Sequence, residues 1–201
     1  MSAIDPHTIT VVSGLPRSGT SLMMQMLAAG GLPALIDSTR AADASNPRGY
    51  LELDAVKRLK TDQSWLPQAR GKAVKIIHVL LPELAHTPAD EHGQPLRYRV
   101  IMMRRPVAEV VASQRTMLAR QGKPGASLPD VQMEKFSADQ LARVEAWLAG
   151  RPEFAVCPVH YPELVADPAR TAAQVNAFLG GGLDEAAMAA AVDPSLYRER
   201  K

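Results

Sequence analysis

The chain has 201 residues, of which 46% are apolar and 22% are charged, as is ordinary for one globular domain spanning 1–201. Its formal net charge of +2 is too small to indicate nucleic acid or a membrane surface as a partner, and the single Cys157 excludes an internal disulfide. The first ten residues lack a basic start, and no apolar run is long enough for a membrane span, so we expect no signal peptide and a cytoplasmic location.

Hydrophobic periodicity predicts strands and helices that alternate along the chain. The predicted strands cover 8–13, 73–81, 98–103 and 154–160, and the predicted helices cover 19–29, 51–60, 106–121, 137–148, 169–179 and 184–192. Apolar strands separated by helices are typical of an α/β fold with three layers, in which helices cover both faces of a parallel sheet. Ligands of such sheets bind beyond the carboxyl ends of the strands, so those ends are the places to search for a site.

The segment after the first predicted strand has the spacing of a phosphate-binding loop. Four residues separate Gly14 from Gly19, and two hydroxyl residues, Thr20 and Ser21, follow. A helix that begins here directs its unpaired N–H groups and the positive end of its dipole at a bound anion. Thr20 replaces the lysine of the version that binds nucleoside triphosphates, which leaves Arg17 as the only cation of the loop. We therefore expect an anion site other than an ordinary magnesium–nucleotide site; a turn that only caps a helix is the alternative.

The third predicted strand ends in two arginines, Arg104 and Arg105, although buried sheets avoid unpaired charge. A nucleotide-hydrolysing P-loop protein would use an aspartate at a strand end to hold Mg²⁺. Arginines would instead attract a second anion, and Ser113, two turns along the next helix, could offer it a hydroxyl group. The alternative is that one arginine pairs with a surface carboxylate.

Two further strand ends carry weaker signals. Tyr161 follows the fourth predicted strand, where an aromatic ring can stack on a base or close a pocket, although core packing is the commoner role. Lys75 and His78 lie in the second predicted strand, and a histidine in an apolar run is more often a core residue than a catalyst.

These segments resemble the sulfotransferases that use 3′-phosphoadenosine 5′-phosphosulfate (PAPS) as sulfuryl donor. Residues 14–22 resemble the family's 5′-phosphosulfate loop, and residues 100–114 resemble its 3′-phosphate motif, with Arg105 and Ser113 at the matching positions. Tyr161 matches the tyrosine that lies near the adenine. The resemblance implies donor binding by Gly14, Pro16, Arg17, Ser18, Gly19, Thr20, Ser21, Arg105, Ser113 and Tyr161.

The resemblance also implies a P-loop-like fold, transfer of a sulfuryl group to a hydroxyl or amine, release of 3′-phosphoadenosine 5′-phosphate (PAP), and no metal. The acceptor is a small molecule or a peptide, without a role for nucleic acid or membrane insertion, and the oligomeric state stays open. Arg17 would stabilise the charge that builds on the bridging oxygen of the donor.

An acceptor that loses a proton needs a general base, and two residues compete for that role. Glu52 ends a stretch, 46–52, that resembles the Asn-Pro-x-Gly-aromatic-x-Glu segment of bacterial sulfotransferases, although it could equally be a helix-start residue. His78 resembles the strand histidine of cytosolic members. Lys75 could supply an acid, since a guanidinium such as that of Arg17 does not deprotonate.

The sequence departs from the family at two places. Cytosolic members place lysine where Arg17 stands, whereas tyrosylprotein sulfotransferases and several bacterial members place arginine there. The C-terminal Lys/Arg-Gly pair is not found; Arg198 and Arg200 could substitute for it, and the alternative, which the sequence favours, is a solvated tail. Residues 122–132, rich in Gly and Pro, form either a mobile lid over the acceptor or a plain connector.

Two other functions remain open from the sequence. A P-loop small-molecule kinase is disfavoured by Thr20 in place of lysine and by the arginines in place of a metal-holding aspartate. A non-catalytic module that binds PAP or a related nucleotide would keep the donor site without turnover.

Overall fold

The computed structural model describes residues 5, 7–37, 43, 46, 48–86, 96–125 and 128–197. Its sheet has four strands, all paired in parallel, in the order β2-β1-β3-β4. The strands are β1 (Thr8–Gly14), β2 (Ala73–Lys75), β3 (Arg97–Arg104) and β4 (Phe154–His160). Strand β1, one of the two inner strands, is buried along its whole length, including its polar residues Thr8, Thr10 and Ser13.

Six α-helices follow or separate these strands in the described part of the chain. They are α1 (Thr20–Ala29), α2 (Val107–Arg120), α3 (Asp130–Ala149), α4 (Tyr161–Ala166), α5 (Pro168–Leu179) and α6 (Glu185–Ala190). Short 3-10 helices cover Asp54–Arg58, Leu66–Ala69, His78–His86 and Pro194–Leu196. Within the described ranges, no helix combines the length and the apolar composition needed to cross a bilayer.

The core has two parts, one on each face of the sheet. Val12 of β1 belongs to a cluster that includes buried residues of α1, α5 and α6, whereas its neighbour Val11 belongs to a second cluster with residues of α3 and the 3-10 helices. Successive side chains of a strand point to opposite faces, so β1 contributes to both clusters. The predicted fold class, a parallel sheet with helices on both faces, is confirmed.

The second predicted strand is too long. Strand β2 ends at Lys75, and the rest of the run, from His78, forms a 3-10 helix. The amide of Ile76 still donates to Val12 in the sheet (3.0 Å), and the chain then leaves it. A short apolar run has the same composition in a strand and in a buried helical segment, so periodicity alone could not separate them.

Other helix bounds also differ from the prediction. Helix α3 begins at Asp130, directly after Pro129, so Ser137 lies in its interior and does not cap it. The carbonyl of Pro129 accepts from the amides of Gln132 and Met133 (3.0 and 3.1 Å), which starts the helix before the predicted position. Helix α4 was not predicted, because a helix of six residues is too short to show periodicity.

Candidate functional site

The loop between β1 and α1 packs directly against β3 and α4, and two glycines make this possible. Gly14 has φ 143°, and a Cβ atom there would lie 2.5 Å from the carbonyl oxygen of Met103. Gly19 has φ 102°, and a Cβ atom there would lie 2.4 Å from a ring carbon of Tyr161. Glycine adopts positive φ without steric cost, so both positions hold the loop close to its neighbours.

Arg17 takes an unusual backbone conformation that turns its side chain across the mouth of the loop. Its φ is 72°, a conformation that costs a non-glycine residue roughly 1–3 kcal/mol. Its Nε donates to the Oγ of Ser113 on α2 at 3.1 Å. Arg17 and Ser113 are 96 positions apart in the sequence, so the fold brings the loop into contact with helix α2.

Arg105 reaches the same point from the end of β3. Its Nη1 donates to the carbonyl oxygen of Arg17 at 3.2 Å, and its guanidinium lies over the rings of Tyr161 and Tyr197, 4.9 and 5.1 Å from their centroids. Its side chain is only 7% exposed, and its Nε pairs with Glu109 Oε2 at 2.8 Å. The guanidinium thus faces the loop, as the predicted second anion pocket requires.

Arg104 points elsewhere. Its guanidinium forms an ion pair with Glu145 of α3 at 2.7 Å, and its side chain is 40% exposed. The two arginines at the end of β3 therefore have different roles. The alternative of a surface pair holds for Arg104 and not for Arg105.

Glu109 anchors this wall of the cleft and was missed by the sequence interpretation. The hydroxyl of Tyr197 donates to its carboxylate at 2.8 and 2.9 Å, and both partners of the Arg105–Glu109 pair are buried. Burial raises the pKa of Tyr197, and the neighbouring carboxylate of Glu109 raises it further. The spacing of Glu109 four residues after Arg105 on a predicted helix was a readable signal of this ion pair.

The opposite wall is built around Lys75 at the end of β2. Its Nζ donates to the Oγ of Ser21 at 3.0 Å and to the carbonyl oxygen of Tyr50, and it lies 3.4 Å from Glu52 Oε1. Lys75 is 6% exposed in its side chain, whereas Glu52 is 34% exposed. Leu51, between Tyr50 and Glu52, has φ 50°, so the backbone bends where it delivers the carboxylate.

These walls enclose a cleft of about 210 Å³ at the carboxyl ends of the strands. Ten of the residues predicted to form the site line it: Gly14, Pro16, Arg17, Gly19, Thr20, Ser21, Glu52, Arg105, Ser113 and Tyr161. Polar residues that the sequence interpretation did not assign also line it, namely Gln25, Asn46, Thr116, Arg120 and Asp193. Asn46 begins the 46–52 stretch described above, whereas Gln25, Thr116, Arg120 and Asp193 lie in segments without a motif, so only folding brings those four to the cleft.

Two predicted site residues do not line the cleft. His78 is buried, and its Nδ1 lies 3.2 Å from the carbonyl oxygen of Gly14, on the far side of the loop. Desolvation by burial lowers the pKa of His78. Ser18 is buried beneath the loop, where its amide donates to the carbonyl of Leu15 at 3.1 Å. Both residues support the loop from behind in this structure.

Some predicted features lie partly or wholly outside the described residues. Arg198 and Arg200 are outside them, and so are positions 126 and 127 of the predicted lid. The C-terminal part of that segment, from Asp130, belongs to α3. Within the described ranges, no group of three or more His, Cys, Asp or Glu side chains is arranged to hold a metal ion.

Comparison with known proteins links part of the chain to one family. Residues 97–185, from β3 to the start of α6, match the model of the sulfotransferase family. The match covers somewhat less than half of the chain. The matched segment contains the 3′-phosphate motif and Tyr161, two of the three segments on which the resemblance was based.

Solved sulfotransferases share the fold of this chain. A Mycobacterium tuberculosis sulfotransferase aligns with a TM-score of 0.53 and 18% identity over 90% of this chain and 70% of its own. An Alicyclobacillus acidocaldarius sulfotransferase aligns with a TM-score of 0.51 and 13% identity over 89% and 84%. The sulfotransferase domain of the curacin biosynthetic pathway gives 0.50 and 16% over 94% and 84%. No curated protein matches the sequence. At these identities the likeness shows the fold alone.

Proposed function

We propose that this chain is a sulfotransferase that takes the sulfuryl group from PAPS and transfers it to a hydroxyl or amine acceptor. The observation that carries the proposal is the meeting of two anion motifs in one cleft. Arg17 of the loop bonds Ser113 at 3.1 Å, and Arg105 bonds the loop at Arg17 at 3.2 Å. PAPS has two anionic ends, so a cleft with two cationic pockets suits it better than it suits a simple nucleotide monophosphate.

The loop suits the 5′-phosphosulfate end. The first turn of α1 offers N–H groups, and its cap residue Gly19 has no side chain to occupy them. The hydroxyl groups of Thr20 and Ser21 line the cleft beside these amides. Helix-terminal amides and the helix dipole favour a bound anion, so this end of the cleft would hold the donor's reacting group.

The pocket around Arg105 suits the 3′-phosphate end. Its guanidinium is oriented by Glu109 and by the rings of Tyr161 and Tyr197. A planar guanidinium binds phosphate through paired, charge-assisted hydrogen bonds. Tyr161 also lines the cleft, and in our proposal its ring lies near the adenine.

In the proposed transfer, the acceptor oxygen or nitrogen forms a bond to sulfur while the bond from sulfur to the bridging phosphate oxygen breaks. The bonding electron pair leaves with the phosphate, PAP is released, and the acceptor proton passes to the carboxylate of Glu52. Arg17 and the amides of the loop would stabilise the charge on the leaving oxygen. Glu52 is favoured over His78 as base because Glu52 lines the cleft and is partly exposed, whereas His78 is buried outside it.

The donor assignment is tested by thermal-shift titration with PAP, AMP and ATP, each with and without Mg²⁺. We expect the largest stabilisation with PAP in the absence of metal, because PAP engages both pockets. A preference for ATP that requires Mg²⁺ would instead support a small-molecule kinase. Tight PAP binding without any turnover of PAPS would support a non-catalytic module.

The two arginines at the end of β3 give a matched pair of variants. Arg105→Ala should weaken PAP binding by about 10–100-fold while leaving AMP binding nearly unchanged, since a lost bond to a charged group costs about 1.5–3 kcal/mol. Arg104→Ala should leave both affinities unchanged, because Arg104 pairs with Glu145 outside the cleft. Equal losses for PAP and AMP in the Arg105 variant would contradict the assigned pocket.

Arg17 should act on the chemical step more than on binding. Arg17→Ala should lower kcat by about 10²–10³-fold, the usual cost of losing one donor to a developing oxyanion. The change in PAP affinity should be smaller. A loss of affinity as large as the loss of kcat would make Arg17 a simple binding residue.

A further inference from the structure

A second cavity opens beside the cleft on the side of Glu52. Its volume is about 190 Å³, and it shares Glu52, Lys75 and Ile77 with the cleft. The proposed general base therefore stands at the boundary between the two spaces. A molecule in the second cavity would place one of its atoms next to Glu52 and close to the loop that would hold the donor.

The surface of this cavity is mainly apolar. Leu53, Val56, Ile77 and Leu80 line it, and Leu53 and Leu80 pack against the core cluster that contains Val56. Val56 is 7% exposed, so the floor of the cavity is an extension of the core. Transfer of an apolar group from water to such a surface is favourable by about 25 cal/mol per Å² of apolar area buried.

The polar groups at the rim are engaged with one another. Asp54 pairs with Lys57 at 2.6 Å, and Asp37 accepts from the amide of Asp54 at 2.5 Å. Lys75 is held by Glu52, Ser21 and Tyr50. A polyhydroxylated ligand would bury hydroxyl groups against side chains that already have partners, and unmatched buried polar groups are costly.

The charge of the rim also selects among ligands. Three carboxylates (Asp37, Glu52 and Asp54) face two ammonium groups (Lys57 and Lys75) among the residues lining this cavity. An anionic ligand would meet net negative charge at short range, where like charges repel. A neutral ligand avoids this cost.

From these observations we infer that the second cavity binds the acceptor, and that the acceptor is a neutral alcohol or phenol on a compact apolar frame. This inference rests on the proposed function, and it names the acceptor class that the sequence left open. The hydroxyl group would lie at the shared boundary, where its proton passes to Glu52 as its oxygen bonds to the sulfur and PAP leaves. The apolar frame would lie against Leu53, Val56 and Leu80.

The test compares three alcohols by calorimetric titration into the full chain saturated with PAP. We expect para-methylbenzyl alcohol to bind at least about tenfold more tightly than para-carboxybenzyl alcohol, which has the same shape and a negative charge, and than methyl glucoside. The same order should appear in kcat/KM with PAPS. Equal or reversed affinities would overturn the inference. Failure of the chain to bind PAP would instead overturn the proposed function, so the two failures are distinguishable.

Neighbouring residues of one 3-10 helix supply the variant and its control. Leu80→Trp should fill the cavity and raise the KM for para-methylbenzyl alcohol at least about tenfold, with the KM for PAPS unchanged. Val79→Trp should change neither, because Val79 is 41% exposed and does not line the cavity. If the Leu80→Trp variant fails to fold, Leu53→Ser provides a second test, and it should also raise the KM for para-methylbenzyl alcohol. Normal KM values for the alcohol in both cavity variants would place the acceptor elsewhere.

Discussion

Two ion pairs stand on opposite walls of the cleft, and they differ in how much water reaches the carboxylate. In the pair Arg105–Glu109 both side chains are buried, at 7% and 4% exposure, and the atoms are 2.8 Å apart. In the pair Lys75–Glu52 the lysine is 6% exposed, the glutamate is 34% exposed, and the separation is 3.4 Å. One carboxylate is enclosed by its partners, and the other is open to a ligand.

This difference separates a positioning carboxylate from a proton acceptor. Glu109 bonds Arg105 and Tyr197 from a closed site, so it fixes a cation and has no route to an acceptor. Glu52 keeps one exposed side toward both cavities, which is what a base needs in order to reach the proton it removes. In our proposal, a glutamate paired with a cationic side chain thus serves binding on one wall and chemistry on the other.

Glu52→Gln should have the largest effect on activity. We expect kcat to fall by about 10²–10⁴-fold, the usual contribution of a positioned base, while PAP affinity and stability change little. Activity is measured as PAP released from PAPS with a panel of alcohol and amine acceptors.

The control for this variant is Glu145→Gln. Glu145 has a comparable exposure of 27% and pairs with Arg104 away from the cleft, so its loss should leave kcat unchanged. A normal kcat in the Glu52 variant would show that Glu52 is not the base. The proposed functional difference between Glu52 and Glu109 would then be wrong.

Glu109→Ala should have the largest effect on stability. Removing one partner of a buried ion pair leaves the other charge uncompensated, at a cost of about 3 kcal/mol. Chemical denaturation measures this directly, and PAP affinity should fall as well because Arg105 loses its orientation.

Glu145→Ala again provides the comparison, because it breaks the ion pair of the adjacent Arg104. That pair is 40% and 27% exposed, so its loss should cost less than about 1 kcal/mol. Equal destabilisation by the two variants would show that burial does not distinguish these pairs.

Local patterns predicted most of the residues on the wall of the cleft that we propose to bind the donor. The loop spacing is one such pattern, and the strand that ends in arginine with a serine two turns later is another. The structure brings Arg17, Arg105 and Ser113 together. Tyr161 was also predicted, although its contact with Gly19 depends on the packing of α4.

The sequence could not resolve features that depend on where a strand stops. Because β2 ends at Lys75, the side chain of Ile77 lines the cleft and that of His78 turns behind the loop. A continuous strand would have placed these residues differently. Tyr197 was assigned no role for a related reason, since 88 positions separate it from Glu109 and only tertiary packing joins them.

Tyr197→Phe tests how much the hydroxyl group of Tyr197 contributes to the buried pair Arg105–Glu109. Its effect on stability should be smaller than that of Glu109→Ala. The variant keeps the ring beside Arg105 and removes only the hydroxyl that donates to Glu109, so stability should fall by about 1 kcal/mol. Denaturation measures the loss, and the calorimetric affinity for PAP should fall only a few-fold. A change in PAP affinity as large as that of Arg105→Ala would make the hydroxyl a direct ligand of the donor.

The smallest expected effect is a pH dependence of stability that comes from His78, behind the loop. Burial lowers the pKa of His78 from its usual value of 6.5, so below that pH the unfolded chain takes up a proton that the folded chain does not. The free energy of unfolding should therefore decrease as the pH falls from about 6.5 toward the lower pKa of the folded state. Below that pKa, His78 should cause no further decrease, because it is protonated in both states.

Denaturant titrations across this range test the linkage by comparing the parent chain with one variant. His78→Asn should flatten the slope, because the side chain no longer titrates. If His78 were a base with access to the cleft, solvent and ligand would reach its ring, and PAP binding would shift its titration. If the slope of the unfolding free energy against pH is the same with and without PAP, His78 lies behind the loop, and Glu52 is the residue that takes the acceptor proton in our proposal.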